Sequence, residues 1–127
     1  MTERQRVLII DDDIIFRQAI AKLLERAGYE VLQAANGDDG INAFERNPTA
    51  VAIVDIFMPG QGGLQTIDQL RRRGPKAKIV AVSGASAGTL DIKSHAVALG
   101  ADRFLQKPFE AATLVTLVAT LLGVQEG

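Results

Sequence analysis

The chain has 127 residues, 47% of them apolar, and a formal net charge of −1. That suits one domain with enough apolar surface for a core and excludes disorder as its main state. The near-balanced charge offers no bulk attraction to nucleic acid or an anionic membrane, and the absence of cysteine excludes disulfides and thiolate metal sites.

The first apolar run, Val7–Ile10, is rich in β-branched residues and reads as a strand buried on both faces. A helical pattern follows, with Phe16, Ile20, Leu23, Leu24 and Ala27 on one side and Gly28 as its stop. Tyr29–Ala34 reads as a second strand. Asn36 is placed to cap the next helix, Asp38 and Asp39 suit its positive end, and Ile41 and Phe44 face inward before Pro48 halts it. The cycle then repeats. Ala50–Val54, Lys78–Val82 and Arg103–Leu105 read as strands. Helices follow each: one carrying Leu64, Ile67 and Leu70 and stopped at Gly74-Pro75, one from Thr89 to Leu99 stopped by Gly100, and one from Glu110 to Leu122.

This order predicts an α/β fold, a single (βα)5 doubly wound parallel sheet with helices on both faces. Residues 1–127 are expected to form that one domain, with no output domain among them, since only Gly123–Gly127 follow Leu122. The apolar run after the charged start is shorter than the about 7–15 residues of a signal peptide. The uncharged stretch Ala111–Gln125 is shorter than the about 20 residues of a membrane span. A cytoplasmic protein with no membrane partner is expected. The basic run Arg71-Arg72-Arg73 closes a predicted helix, where it complements the helix dipole. Without interleaved aromatic residues it does not read as a nucleic-acid patch.

Ligands of such sheets bind beyond the carboxyl ends of the strands, near the point where strand order reverses. Asp11, Asp12 and Asp13 follow the first strand, Asp55 the third, Ser83 the fourth and Lys107 the fifth. Like charges at one rim disfavour ionisation unless neutralised, and Mg²⁺ held by carboxylates, water and a phosphate oxygen does that. A carboxylate is a competent nucleophile toward phosphorus, and a metal, an ammonium and a hydroxyl can stabilise the phosphoryl oxygens. The set reads as a phosphoryl-transfer site.

These residues resemble the response-regulator receiver family. Val7–Asp13 is similar to its acidic pocket, and Val54–Gly63 to its phosphoacceptor loop, with Met58, Pro59 and Gly63 at the usual offsets from Asp55. Val80–Gly84 is similar to its switch-hydroxyl segment and Gly100–Phe109 to its closing motif, whose lysine–proline bond is typically cis. The resemblance runs from Val7 to the last helix and implies a flavodoxin-like strand order 2-1-3-4-5. It implies that Asp12 binds Mg²⁺ directly and Asp11 largely through water, with the backbone carbonyl of Phe57 as a further ligand. Asp55 is then both ligand and phosphoacceptor. Ser83 moves toward the phosphoryl group, Phe104 turns inward, and the surface of the fourth helix, fifth strand and fifth helix changes for partners. Those partners are a histidine kinase or histidine phosphotransfer protein upstream, and a downstream protein target or a missing output domain.

Plainer readings stand beside these. Asp13 reads as a helix cap as well as a ligand. Taken singly, Lys107 is a surface lysine, Ser83 a loop serine, Phe104 a core aromatic and His95 a surface or packing residue. Phe57 and Ala85 are apolar where the family often carries polar groups that tune phosphoryl loss, which suggests a long-lived phosphoaspartate. The uncharged last helix, with Thr113, Thr116 and Thr120 on one face, suggests a homodimer surface or a bland exposed face. Asp11–Asp13 also loosely fits haloacid-dehalogenase-type aspartyl phosphatases, but no later acidic pair and no cap domain accompany it. A phosphorylation-independent interaction module is the remaining alternative, although no acidic residue, lysine or acceptor is missing.

Overall fold

The computed structural model of the protein describes residues 4–57, 62–84 and 89–123. Five strands alternate with five helices: β1 (Arg6–Ile10), α1 (Ile14–Arg26), β2 (Glu30–Ala34), α2 (Gly37–Arg46), β3 (Val51–Asp55), α3 (Gly63–Arg73), β4 (Lys78–Ser83), α4 (Thr89–Leu99), β5 (Arg103–Gln106) and α5 (Ala111–Leu121). All pairings are parallel, in the order β2-β1-β3-β4-β5. The expected architecture and strand order are those observed.

The period-two alternation of side chains sorts each central strand between two cores. Leu8, Ile10, Ala52, Val54, Ile79 and Ala81 point to one face, against Ile41 and Phe44 of α2, Ile67 and Leu70 of α3 and Ala96 of α4. Val7, Ile9, Val51, Ile53, Val80 and Val82 point to the other, against Ile20 and Leu24 of α1 and Leu114 and Val118 of α5. Each fully buried valine, leucine or isoleucine among them stabilises the fold by about 1.5–3 kcal/mol, so the central strands are rigid supports for what projects from their ends.

Several element ends differ from the sequence reading by one residue, and two of them bear on the site. Asp55 and Ser83 are the last residues of β3 and β4 rather than the first beyond them, because the ladder continues through Asp55↔Val82 and Ser83↔Gln106. Helix α5 is less apolar outside than its composition suggests. Leu114 and Val118 are buried and Val115, Leu117, Leu121 and Leu122 pack at the edge of the core, leaving Ala112, Thr113, Thr116 and Thr120 exposed. Thr120 Oγ1 donates back to the Thr116 carbonyl at 3.0 Å, a local pairing that occupies part of that face. No helix among the described residues is long and apolar enough to cross a membrane.

Candidate functional site

Strand order reverses between β1 and β3, so the crevice expected of this topology opens beyond Ile10 and Asp55. Asp11, the first residue past β1, is buried. Its Oδ1 accepts the Asp13 amide at 2.9 Å, and its carbonyl accepts from Arg17 Nη1 at 2.7 Å. Asp13 turns the other way. Its Oδ1 accepts the amides of Ile15 and Phe16, each at 3.1 Å, and caps α1. The capping reading of Asp13 is the one observed.

Asp55 is buried at the end of β3, with Oδ1 accepting the Phe57 amide at 3.1 Å. The start of α3 lies close against the end of β3. A Cβ on Gly63 would collide with the Asp55 carbonyl oxygen and Ile56 Cα, so only glycine lets α3 start there. Phe57 is exposed. Met58, Pro59 and Ala85, singled out in the sequence, lie outside the described residues.

Carboxylate oxygens of Asp11, Asp12 and Asp55 all lie within 4.8 Å of one another, with Asp12 the exposed member. Lys107, immediately past β5, reaches into the cluster. Its Nζ donates to Asp11 Oδ2 at 3.1 Å and lies 3.9 Å from Asp55 Oδ2. Burial and the Asp11 charge push the Asp55 carboxyl up to about 6, opposed by Lys107 and the Phe57 amide, with Asp12 adding to the rise. Two of the three clustered carboxylates, Asp11 and Asp55, thus share one ammonium. An excess of closely spaced oxygen donors around a half-neutralised buried carboxyl fits a hard divalent cation such as Mg²⁺.

Ser83 is fully buried at the end of β4, one position past the residue paired with Asp55, and its carbonyl accepts the Lys107 amide at 2.8 Å. Phe104, in β5, packs against the core on the α2–α3–α4 face. The Lys107–Pro108 peptide bond is cis. His95 is exposed on α4. The acidic trio's two inner members, Asp55 and Lys107 therefore converge, with Ser83 beside them, and Asp13 and His95 stand apart.

Two residues whose roles the sequence reading missed are Phe16 and Arg71. Phe16 appeared only as an apolar face of a helix, yet its ring lies 4.1 Å from Lys107 Nζ. Arg71 appeared only as a helix-end cation. It donates to the carbonyls of Gly74, Pro75, Ala77 and Gly100 and pairs with Asp102 at 2.8 Å. Neither contact has a signal at fixed sequence spacing. Grooves of about 450 and 380 Å³ flank Pro75–Ala77, at the opposite rim of the sheet from the carboxylates.

Residues 7–119 match the family described as the response regulator receiver domain. The chain is 32% identical over 123 residues to the transcriptional regulatory protein FixJ of Azorhizobium caulinodans, covering 97% of this chain and 57% of that protein. It is 31% identical over 112 residues to the chemotaxis protein CheY of Thermotoga maritima, covering 87% of this chain and 92% of that one. It spans about half of FixJ and of CseB from Streptomyces avermitilis, 57% and 51% respectively. A receiver domain protein (CheY-like) from Methanospirillum hungatei JF-1 superposes with a TM-score of 0.89 over 95% of both chains, at 26% identity. Receiver domains usually bind Mg²⁺, and the cluster of Asp11, Asp12 and Asp55 could hold it. The phosphatase alternative has no support in these likenesses. In fold, in the residues gathered at the strand ends and in sequence, this chain belongs to the response regulator receiver domain family of two-component signalling.

Proposed function

We propose that residues 1–127 form a phosphorylation-dependent switch that accepts a phosphoryl group on the Asp55 carboxylate from a histidine kinase or histidine phosphotransfer protein. The observation that carries this reading is the placement of Lys107 Nζ 3.1 Å from Asp11 and 3.9 Å from Asp55, beside an acidic cluster with oxygen atoms within 4.8 Å. Receiver domains are generally signalling modules rather than enzymes, and the chemistry proposed is confined to the protein's own aspartate.

In the proposed step, an Asp55 carboxylate oxygen attacks phosphorus, an acyl phosphate O–P bond forms, and the P–N bond to the donor imidazole breaks, the imidazole nitrogen keeping the electron pair. Asp11, Asp12, Asp55 and the Phe57 carbonyl would hold Mg²⁺, which supplies charge compensation for the phosphoryl oxygens when bound. Lys107 adds a fixed positive charge beside the acceptor, and the Ser83 hydroxyl supplies a donor one strand away. Movement of Ser83, followed by Phe104, then shifts the population of the α4–β5–α5 surface that a downstream protein reads. The setting is cytoplasmic. The downstream reader is either a separate protein or an output domain joined to this one.

The experiment is incubation with acetyl phosphate and Mg²⁺ followed by intact mass. One added phosphoryl group is expected, and none in Asp55→Asn. A chain that stays unmodified, or an Asp55→Asn variant modified as fully as wild type, overturns the reading.

A further inference from the structure

The ammonium of Lys107 has a contact that charge pairing does not explain. Its Nζ lies 4.1 Å from the centroid of the Phe16 ring, within the range of a cation–π attraction. That ring is held from two directions. Its backbone amide donates to the Asp13 side chain at 3.1 Å, which fixes Phe16 in the first turn of α1, directly after the acidic residues. Its ring meets that of Phe109 edge-on, with centroids 5.8 Å apart and planes at 88°. Lys107 and Phe109, two residues apart after β5, therefore both touch the same ring on α1.

A lysine side chain is a flexible four-carbon stem with a point charge, and holding it in one place costs conformational entropy. Asp11 restrains the ammonium through one hydrogen bond at 3.1 Å, while Asp55, at 3.9 Å, is beyond hydrogen-bond range. The face of an aromatic ring attracts a cation as well as excluding water from that side, whereas an aliphatic side chain of similar size excludes the water without the attraction. We infer that Phe16 is a positioning residue for phosphoryl transfer, its ring holding the Lys107 ammonium in place beside Asp55 and itself held by Phe109. The inference rests on the reading of Asp55 as phosphoacceptor.

The test compares wild type with Phe16→Leu and Phe16→Met, which keep apolar bulk without a ring, and with Phe16→Tyr, which restores one. Two readouts are needed. The first is independent of phosphorylation: the Lys107 ε-methylene protons carry an upfield ring-current shift in wild type and Phe16→Tyr that is lost in the leucine and methionine variants. The second is the rate of Asp55 phosphorylation by phosphoramidate at saturating Mg²⁺. It falls about 2- to 30-fold in the ringless variants and returns in Phe16→Tyr. In a Lys107→Met background, Phe16→Leu has no further effect, because the contact it removes is already gone.

Ringless variants that fold and phosphorylate at the wild-type rate overturn the role of Phe16 alone. So does a Phe16→Leu effect that persists undiminished in Lys107→Met, which a purely structural role would give. A wild-type protein that takes no phosphoryl group overturns the inference together with the reading beneath it, even with the ring-current shift intact.

Discussion

Lys107 gives its hydrogen bond to Asp11 and not to Asp55, at 3.1 Å against 3.9 Å. The ammonium is thus shared unequally, and the buried Asp55 carboxyl is left less than fully compensated. Its displacement to about 6 follows from burial first and the Asp11 charge second.

This displacement sets a pH dependence of stability in Mg²⁺-free buffer. Well below pH 3.8 the carboxyl is protonated both folded and unfolded and costs nothing. As pH rises from 3.8 to about 6, the unfolded chain releases the proton while the folded protein keeps it, so folding stability falls. Above that window the cost levels off at about 3 kcal/mol. Asp55→Asn should therefore be more stable than wild type at pH 7.5 and lose that advantage toward pH 4. Urea unfolding of both proteins at pH 4, 5, 6 and 7.5 measures this; a difference that stays constant across the series contradicts it.

If the cluster holds Mg²⁺ as proposed, the ion favours the folded state and should raise the melting temperature, and more at pH 7.5 than at pH 5, where Asp55 is largely protonated. Asp12→Ala should remove most of that rise. Asp13→Ala should keep it, while lowering the melting temperature itself through loss of the α1 cap, worth about 1 kcal/mol. Thermal scans with and without Mg²⁺ separate the two neighbouring aspartates. Equal loss of the Mg²⁺ effect in both would contradict the division of roles.

Arg71 ties the end of α3, the turn before β4 and the turn before β5 together, with Asp102 Oδ2 also accepting the Ile79 amide at 2.8 Å. Removing the guanidinium strands several carbonyls and a largely sheltered carboxylate, and Arg71→Ala is expected to cost about 2–4 kcal/mol. Gly100 has φ +124, and a Cβ there would press on the Arg71 side chain, so Gly100→Ala is costly as well. Because the clash vanishes with Arg71 while the backbone strain remains, the double variant should lose less than the sum of the singles. Denaturant midpoints of the four proteins check this coupling.

Phe57 offers its amide to Asp55 and leaves its side chain exposed, so nothing polar on that side chain can orient water at the acceptor. A slow loss of the phosphoryl group is expected. Phe57→Asn should shorten the half-life several-fold without changing the rate of its formation to a similar extent. Decay of the phosphorylated protein, followed by intact mass after donor removal, reads the effect; an unchanged half-life contradicts it.

Much of this molecule was legible in the residue order. The apolar runs at Val7–Ile10 and Ile79–Val82 announce buried strands because a strand covered on both faces has no polar side to show. Asn36 announces a cap because its oxygen can reach a nearby amide, and it accepts from Asp39 at 2.8 Å. The candidate site was legible for a related reason. A parallel sheet collects residues from the same end of every strand, so carboxylates at the ends of β1 and β3 and a lysine after β5 are brought to one rim.

What lay beyond the sequence is the pairing within that meeting. Charge alone does not say that Lys107 bonds Asp11 rather than Asp55, that a ring on α1 stands against the ammonium, or that Arg71 spends its donors on the carbonyls of two other turns. Periodicity and caps act over a few residues and are written in local order. Partner choice among groups 31 or 96 positions apart depends on distance differences of less than about one ångström. Only the packed sheet, with its helices seated on both faces, decides those.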